Sequence, residues 1–202
     1  MLADIWLTAY INSFIFRYTW LDFLGMFLAT YLPLVLVIVF IILGLRNVRE
    51  SLASSWRAIF SSKKLNKTFD IFHWLMLFEG FLAGFWGFFV AGVVGFLWAR
   101  PRPFVIGGAR LIAEHVASPA FPSTHASIFF ALSTIVFLYH KKAGLWFFGA
   151  SVAMALARVF CGFHWFSDVL AGMGVGILIG LAVYYLPRRL FRVRGGDLGK
   201  TT

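Results

Sequence analysis

Residues 71–98 read IFHWLMLFEGFLAGFWGFFVAGVVGFLW, and within this run Glu79 is the only residue that carries a full charge at neutral pH. A helix rises about 1.5 Å per residue, so about 20 apolar residues are enough to cross a hydrocarbon core of about 30 Å. The run is longer than that, and we therefore predict a membrane span that is tilted or that projects past the bilayer.

The composition of the whole chain agrees with a membrane protein. Hydrophobic residues make up 61% of its 202 positions and charged residues 13%, and the mean hydropathy is +0.86. This leaves too little polar surface to cover a globule in water. We expect one integral membrane domain over residues 1–202, with no separate soluble domain. Cys161 is the only cysteine, so no internal disulfide is possible.

Apolar length and flanking polarity predict an all-α transmembrane helix bundle of about five spans. The spans are residues 21–45, 71–98, 123–139, 143–160 and 167–186. Pro33 lies in the first span, where a proline kinks a helix or marks a late start. The basic connection at 46–70 includes an amphipathic stretch at 56–60.

The first twenty residues are less apolar than a span. They place Asp4, Asn12 and Arg17 among apolar residues at helical spacing. This pattern favours a helix that lies in the membrane interface, and a sixth span stays open as the alternative. A basic start with a small-residue cleavage site is missing, so we expect no cleaved signal peptide.

Basic residues predict the orientation of the bundle. With five spans, the basic clusters at 46–70, 141–142 and 188–200 fall on one side of the membrane, which the positive-inside rule makes the cytoplasm. The loops at 100–121 and 161–166 then face the periplasmic or extracellular side of the cell membrane, and the carboxyl terminus is cytoplasmic. The formal charge of +10 is thereby explained by topology and by contact with anionic membrane lipids, and no nucleic-acid partner is expected.

Arginines are concentrated in the first of these outer loops, where a topology signal should be sparse. Arg100, Arg102 and Arg110 all lie there. The guanidinium group matches phosphate oxygens bidentately and keeps its charge. Arginines that snorkel to lipid headgroups are the alternative explanation.

A second motif, Pro-Ser-Thr-His, opens the span at 123–139. Ser123 or Thr124 suits a helix cap, and the unpaired N–H groups of a first helical turn suit an anion. Ordinary capping has the same pattern, but His125 adds a proton donor for a bound phosphate.

A third group consists of Arg158, His164 and Asp168. If a helix begins near His164, the spacing of four residues places the imidazole and the carboxylate on one face. The aspartate then fixes the tautomer of the histidine and makes its other nitrogen a better nucleophile. The alternative is that Asp168 only stabilises the amino end of a helix.

Together these motifs resemble the type 2 phosphatidic acid phosphatase superfamily over about residues 71–186. The family elements are Lys-x6-Arg-Pro, Pro-Ser-Gly-His and Ser-Arg-x5-His-x3-Asp, and they appear here in the same order and at the same internal spacing. Three positions depart from them. Gly95 stands in place of the lysine, Thr124 in place of the glycine, and Ala157 in place of the serine.

The Arg-Pro-Arg-Pro-Phe-Val stretch without the lysine is most similar to the undecaprenyl-diphosphate phosphatases of the bacitracin-resistance type. The resemblance implies hydrolysis of undecaprenyl diphosphate to undecaprenyl phosphate through a phosphohistidine. His164 would be the nucleophile, Asp168 its orienting partner and His125 the acid. Phosphate would be bound by Arg102, Arg158 and the backbone at Ser123 and Thr124, with Arg100 and Arg110 as further candidates. No metal or cofactor is expected.

Two alternatives remain open. A lipid phosphatase of this family could act instead on phosphatidylglycerophosphate, phosphatidic acid or lipid A phosphate, since headgroup choice depends on loop geometry. A non-catalytic scaffold or transporter could also retain a phosphate site. The substrate partner is in each enzymatic case an isoprenoid or phospholipid phosphate, and the oligomeric state is left open.

Three further features have smaller roles. For Glu79 we favour a structural hydrogen bond inside the bundle. Glu114 and His115 either assist headgroup binding or belong to a solvated loop. Gly172, Gly176 and Gly180 recur every four residues, which predicts close packing of the last span within the bundle.

Overall fold

The computed structural model describes residues 2–45 and 67–197, and the regular elements in these ranges are helices. In chain order they are α1 (Leu2–Asn12), α2 (Thr19–Thr30), α3 (Leu32–Leu45), α4 (Lys67–Trp98), α5 (Thr124–Tyr139), α6 (Lys141–Phe160) and α7 (Phe166–Asp197). The predicted all-α fold is confirmed. The predicted amphipathic stretch at 56–60 lies outside the described residues.

Three of the described helices are long and apolar enough to cross a membrane: Trp74–Trp98, Lys141–Phe160 and Phe166–Leu190. The bent pair α2 and α3 makes a fourth candidate span. The apolar helix α5 has 16 residues and is shorter than an ordinary span. The chain is therefore an integral membrane protein, while the count of five spans and their orientation stay predictions.

The bend between α2 and α3 measures 47° and has a local cause. Pro33 has no backbone N–H, so the carbonyl of Ala29, four residues earlier, lacks its helical donor. The Arg158 side chain supplies the missing bond, with Nη1 3.0 Å from the Ala29 oxygen. The predicted kink at the proline is confirmed, and it ties the bent pair to α6.

Helix α5 lies at the centre of the bundle, where α4, α6 and α7 pack around it. Gly172, Gly176 and Gly180 of α7 explain how close this helix comes to α5. A Cβ on Gly172 would lie 2.6 Å from the Ser123 carbonyl oxygen, and one on Gly176 would lie 2.4 Å from that of Ser127. The predicted close packing of these glycines is confirmed.

Several predicted boundaries require correction. Helix α7 continues past Pro187 to Asp197, so the basic tail that we expected after the last span is helical. Helix α4 already begins at Lys67, inside the segment that we predicted as a connection. The amino end of α7 lies at Phe166 rather than near His164. The backbone at 161–165 turns before the helix starts, so the nucleophile candidate lies in a turn.

The charged residue within the second span has a structural role. Glu79 accepts a hydrogen bond from the Tyr139 hydroxyl at 2.9 Å and pairs with Arg188 Nη1 at 2.7 Å. Both partners lie at the end of the bundle away from the motif residues. The structural hydrogen bond that we favoured for Glu79 is confirmed.

The first prediction concerns orientation. Val116 is 76% exposed in the loop between α4 and α5, and Lys142 is exposed at the start of α6. A membrane-impermeant thiol reagent should therefore label Val116→Cys in intact cells, and should label Lys142→Cys only after permeabilisation. Native Cys161 is fully buried and provides a low background. The reverse labelling pattern would overturn the predicted topology.

The second prediction concerns the contact between α5 and α7. Gly176→Ala places a methyl group 2.4 Å from a backbone oxygen, which the helices relieve only by moving apart. Overpacking of this kind costs about 1–3 kcal/mol, so the melting temperature in detergent should fall by several degrees. Gly174→Ala is the matched control, because nothing lies within 4 Å of its Cβ position. Equal effects of both substitutions would contradict this packing.

Candidate active site

The three motif regions meet at one end of the bundle. Consecutive helices α4, α5, α6 and α7 reverse direction, so the end of α4, the start of α5, the end of α6 and the start of α7 lie together. The loop at 99–123 and the turn at 161–165 complete this end. The architecture thus brings Arg100 and Asp168, which are 68 positions apart in sequence, into contact.

Arg102 is 6% exposed and is fixed by acceptors of the protein itself. Its Nε donates to the Ser118 carbonyl at 2.9 Å, its Nη2 donates to the Ser118 hydroxyl at 2.9 Å, and its Nη1 donates to the Phe163 carbonyl at 2.8 Å. A guanidinium carries five N–H donors, so these bonds orient the group and leave others for a ligand. Arg102 is therefore a preorganised donor.

Arg158 is 5% exposed and approaches the same region from the end of α6. Apart from its bond to the Ala29 carbonyl, its Nη2 lies 3.4 Å from His115 Nε2. Its Nε is buried and has no hydrogen-bond partner among the described residues. Buried unpaired donors are rare in native proteins and are commonly explained by a ligand.

His115 joins the two arginines. Its Nε2 lies 3.2 Å from Arg102 Nη1 and 3.4 Å from Arg158 Nη2. Burial and the charges of both arginines lower the pKa of His115 to about 4, so the imidazole is neutral at pH 7 and can accept hydrogen bonds from both. The sequence left this residue between two roles, because a single histidine in a polar loop has no pattern that places it.

We refer to Arg102 and Arg158 as the arginine pair. In the described part of the chain, neither guanidinium has a carboxylate within 4 Å, whereas Arg100 and Arg188 both do. Burial lowers the pKa of Arg102, but an arginine stays charged at neutral pH. Two buried positive charges without a carboxylate are costly unless an anion joins them. The pair matches a phosphate dianion in charge and in donor geometry.

His164 is buried against this pair. Its Nδ1 lies 2.9 Å from the Ala120 carbonyl, which can only accept, so Nδ1 carries the proton and Nε2 carries the lone pair. Nε2 lies 3.4 Å from Arg102 Nη1. Burial, together with the charges of Arg158 and Arg102, holds the pKa of His164 well below its ordinary value. A neutral imidazole with an unprotonated Nε2 therefore faces the arginine pair.

Asp168 is fully buried beneath His164 and contacts it less closely than the sequence suggested. Oδ2 lies 3.6 Å from His164 Nδ1, but it accepts the backbone N–H of Trp165 at 2.8 Å. Oδ1 pairs with Arg100 Nη1 at 2.6 Å. The carboxylate thus holds the turn that carries His164 and places a negative charge behind the imidazole.

The partners of Arg100 differ from those of a phosphate ligand. Besides Asp168 it pairs with Asp4 of α1 at 2.6 Å and donates to the Ser167 hydroxyl at 2.7 Å. Burial raises the pKa of Asp4, but the hydrogen bonds from Ser167 and Arg100 outweigh this and lower it. This geometry argues against Arg100 as a phosphate ligand and links α1 to the site. No pattern in the sequence indicated this link.

The start of α5 differs from the anion site that we predicted at the backbone N–H groups of Ser123 and Thr124. The backbone N–H of Ser123 donates to the Asp168 carbonyl at 2.9 Å, so it is not available to phosphate. The Ser123 side chain caps the helix by accepting from Ala126 N–H. Thr124 and His125 form the first turn, and the His125 ring lies within electrostatic range of Arg158 and His164.

Arg110 is exposed, and the contacts that fix it are made by its backbone. Its N–H donates to Asn12 Oδ1 at 2.7 Å, and its carbonyl accepts from Asn12 Nδ2 at 2.9 Å. These bonds anchor the loop at 99–123 to α1. A phosphate contact by the Arg110 side chain stays a prediction.

At the position of the family lysine, Gly95 packs against the loop before α5. A Cβ there would lie 3.4 Å from the Phe121 carbonyl oxygen. The described residues contain no group of three or more His, Cys, Asp or Glu side chains that could hold a metal ion.

Similar proteins include two curated relatives. The bacitracin transport permease protein BcrC of Bacillus licheniformis is 31% identical over 99 residues, which are 48% of this chain and 49% of that protein. The undecaprenyl-diphosphatase BcrC of Bacillus subtilis is 29% identical over 111 residues, which are 54% of this chain and 56% of that protein. The matches thus span about half the length of these relatives.

Among solved structures, that of a transmembrane PAP2 type phosphatidylglycerolphosphate phosphatase from Bacillus subtilis aligns with this chain with a TM-score of 0.58. The alignment covers 93% of this chain and 85% of that one at 20% identity, which shows a shared fold. The family model of the PAP2 superfamily matches residues 73–192, and this segment contains the arginine pair, the start of α5 and the His164 turn. Because that match covers more than half of the chain, the protein belongs to the PAP2 superfamily.

Proposed function

We propose that the protein is a membrane lipid phosphatase that removes the terminal phosphate of a polyprenyl diphosphate and converts undecaprenyl diphosphate to undecaprenyl phosphate. The observation that carries this proposal is the buried arginine pair, which has no carboxylate partner among the described residues and faces the unprotonated Nε2 of a neutral His164. A nucleophile beside two phosphate-binding cations is suited to phosphoryl transfer.

In the first step, the arginine pair binds the oxygens of the terminal phosphate. His164 Nε2 attacks phosphorus, and the bond from phosphorus to the bridging oxygen breaks. The Nδ1 proton remains on the bond to the Ala120 carbonyl, and the buried Asp168 carboxylate stabilises the positive charge that develops on the ring. The arginines offset the charge on the equatorial oxygens, which is the largest contribution in transfers of this kind.

The departing group is a lipid phosphate, and His125 protonates its oxygen from the first turn of α5. In the second step, His125 accepts a proton from water, and the water oxygen attacks phosphorus. The bond from phosphorus to His164 Nε2 then breaks and releases inorganic phosphate. One histidine thus acts first as an acid and then as a base, which returns the site to its starting protonation.

The exposed faces of α4 and α7 support a substrate that lies in the membrane. Many large apolar side chains of these helices are exposed, among them Phe85, Phe96, Trp98 and Leu178. Such faces are expected to contact lipid, and α4 ends and α7 begins at the site. The polyprenyl assignment is further supported by the name of the Bacillus subtilis relative, an undecaprenyl-diphosphatase, and by the Arg-Pro-Arg-Pro stretch.

The third prediction tests this function. Purified protein should release phosphate from a polyprenyl diphosphate with a higher kcat/KM than from phosphatidylglycerophosphate, phosphatidic acid or lipid A phosphate. Release should survive excess EDTA, because the arginines neutralise the substrate. His164→Ala should remove turnover, since it deletes the attacking nitrogen.

The outcomes separate the alternatives. A higher kcat/KM on a glycerolipid or on lipid A phosphate would replace the polyprenyl assignment and keep the phosphatase. Full activity of His164→Ala would overturn His164 as the nucleophile. No activity of the wild type on any substrate would favour the scaffold or transporter alternative. Loss on chelation with recovery by one divalent ion would overturn the metal-free mechanism.

The fourth prediction concerns Arg100. If Arg100 acts through Asp168, Arg100→Gln should lower kcat and change KM little, because it disturbs the support of the nucleophile and not the phosphate ligands. Asp168→Asn should lower kcat by about a hundredfold or more, because it removes the negative charge that stabilises the positive ring during attack. Asp4→Asn is the milder matched variant, and its effect should have the same direction. A raised KM with unchanged kcat for Arg100→Gln would restore Arg100 as a phosphate ligand.

A further inference from the structure

His115 occupies the position between the two guanidinium groups that the proposed mechanism gives to a phosphate oxygen. Its Nε2 is within 3.4 Å of a nitrogen of each arginine, and Arg102 Nη1 is in turn 3.4 Å from His164 Nε2. A phosphate oxygen held by both arginines and attacked by His164 needs the same N–H groups. The imidazole and the phosphate therefore compete for one set of donors.

The surroundings of His115 allow it to move. It belongs to the irregular loop at 99–123, and its ring is half-buried. It packs edge-on against Phe163 with ring centroids 4.4 Å apart, and more loosely against Phe104 at 6.4 Å. Neighbouring Val116 is exposed, and Arg102 keeps its bonds to Ser118 and Phe163 without His115. The imidazole can thus leave while the arginine stays anchored.

We propose that His115 competes with phosphate for the arginine pair during the catalytic cycle. Between turnovers, His115 accepts hydrogen bonds from both arginines. The terminal phosphate of the substrate displaces it, and it returns when inorganic phosphate leaves. The proposal rests on the proposed function. The role of His115 is to stabilise the two neighbouring guanidinium charges and to weaken the binding of the inorganic phosphate product. The competition also makes the site specific for phosphate groups, because only a group that binds both arginines better than a neutral imidazole can enter.

The test measures how inorganic phosphate and vanadate inhibit turnover of the lipid phosphate, in the wild type and in two variants. His115→Ala removes the competitor, so Ki for both anions and KM should fall, by about tenfold, which is about 1.4 kcal/mol. His115→Gln places an amide oxygen near the original Nε2 position and should keep Ki near the wild-type value. Val116→Ala is the neighbouring control and should change neither constant.

A second readout does not depend on turnover. Calorimetric titration of inorganic phosphate into His164→Ala, with and without His115→Ala, should give the same tightening. Weaker anion binding in the His115→Ala variants would mean that His115 is a phosphate ligand, and unchanged binding would mean that it does not compete; either result overturns the inference. If the wild type releases no phosphate at all, the proposed function fails, and the titration still decides the role of His115.

Discussion

The arrangement of this site depends on holding two like charges at one point. Arg102 and Arg158 reach the same imidazole nitrogen, and their repulsion in a buried setting must be opposed by fixed contacts. Those contacts are backbone carbonyls of Ser118, Phe163 and Ala29, which are dipoles rather than charges. The carbonyls orient the arginines without neutralising them, so the positive potential remains available to an anion.

The scaffold supplies these carbonyls from places where secondary structure is interrupted. Ala29 offers its oxygen because Pro33 removes the helical donor, and Phe163 offers its oxygen from the turn before α7. The glycines of α7 let that helix approach α5 closely, and this fixes the turn against the loop at 99–123. Kink, turn and close packing are therefore three ways in which the bundle positions the two guanidinium groups.

The sequence predicted much of this arrangement, because its strongest signals are physical constraints on single segments. Apolar length identified the long helices, Pro33 identified the bend, and the glycine spacing identified the α5–α7 contact. The order of the spans and loops predicted that Arg102, Arg158, His164 and Asp168 lie at one end of the bundle. These features need no knowledge of how distant segments pair.

What the sequence missed depends on contacts between distant segments. Asp4 and Arg100 are 96 positions apart, and only the fold brings α1 against the start of α7. Their pairing keeps the negative charge of Asp168 on the far side of His164, because Arg100 and the Trp165 N–H take both of its oxygens. Arg100 thus offsets the charge of the carboxylate behind the imidazole, whereas Arg102 and Arg158 have no carboxylate within 4 Å among the described residues, so the two kinds of charge coexist within one buried end of the bundle.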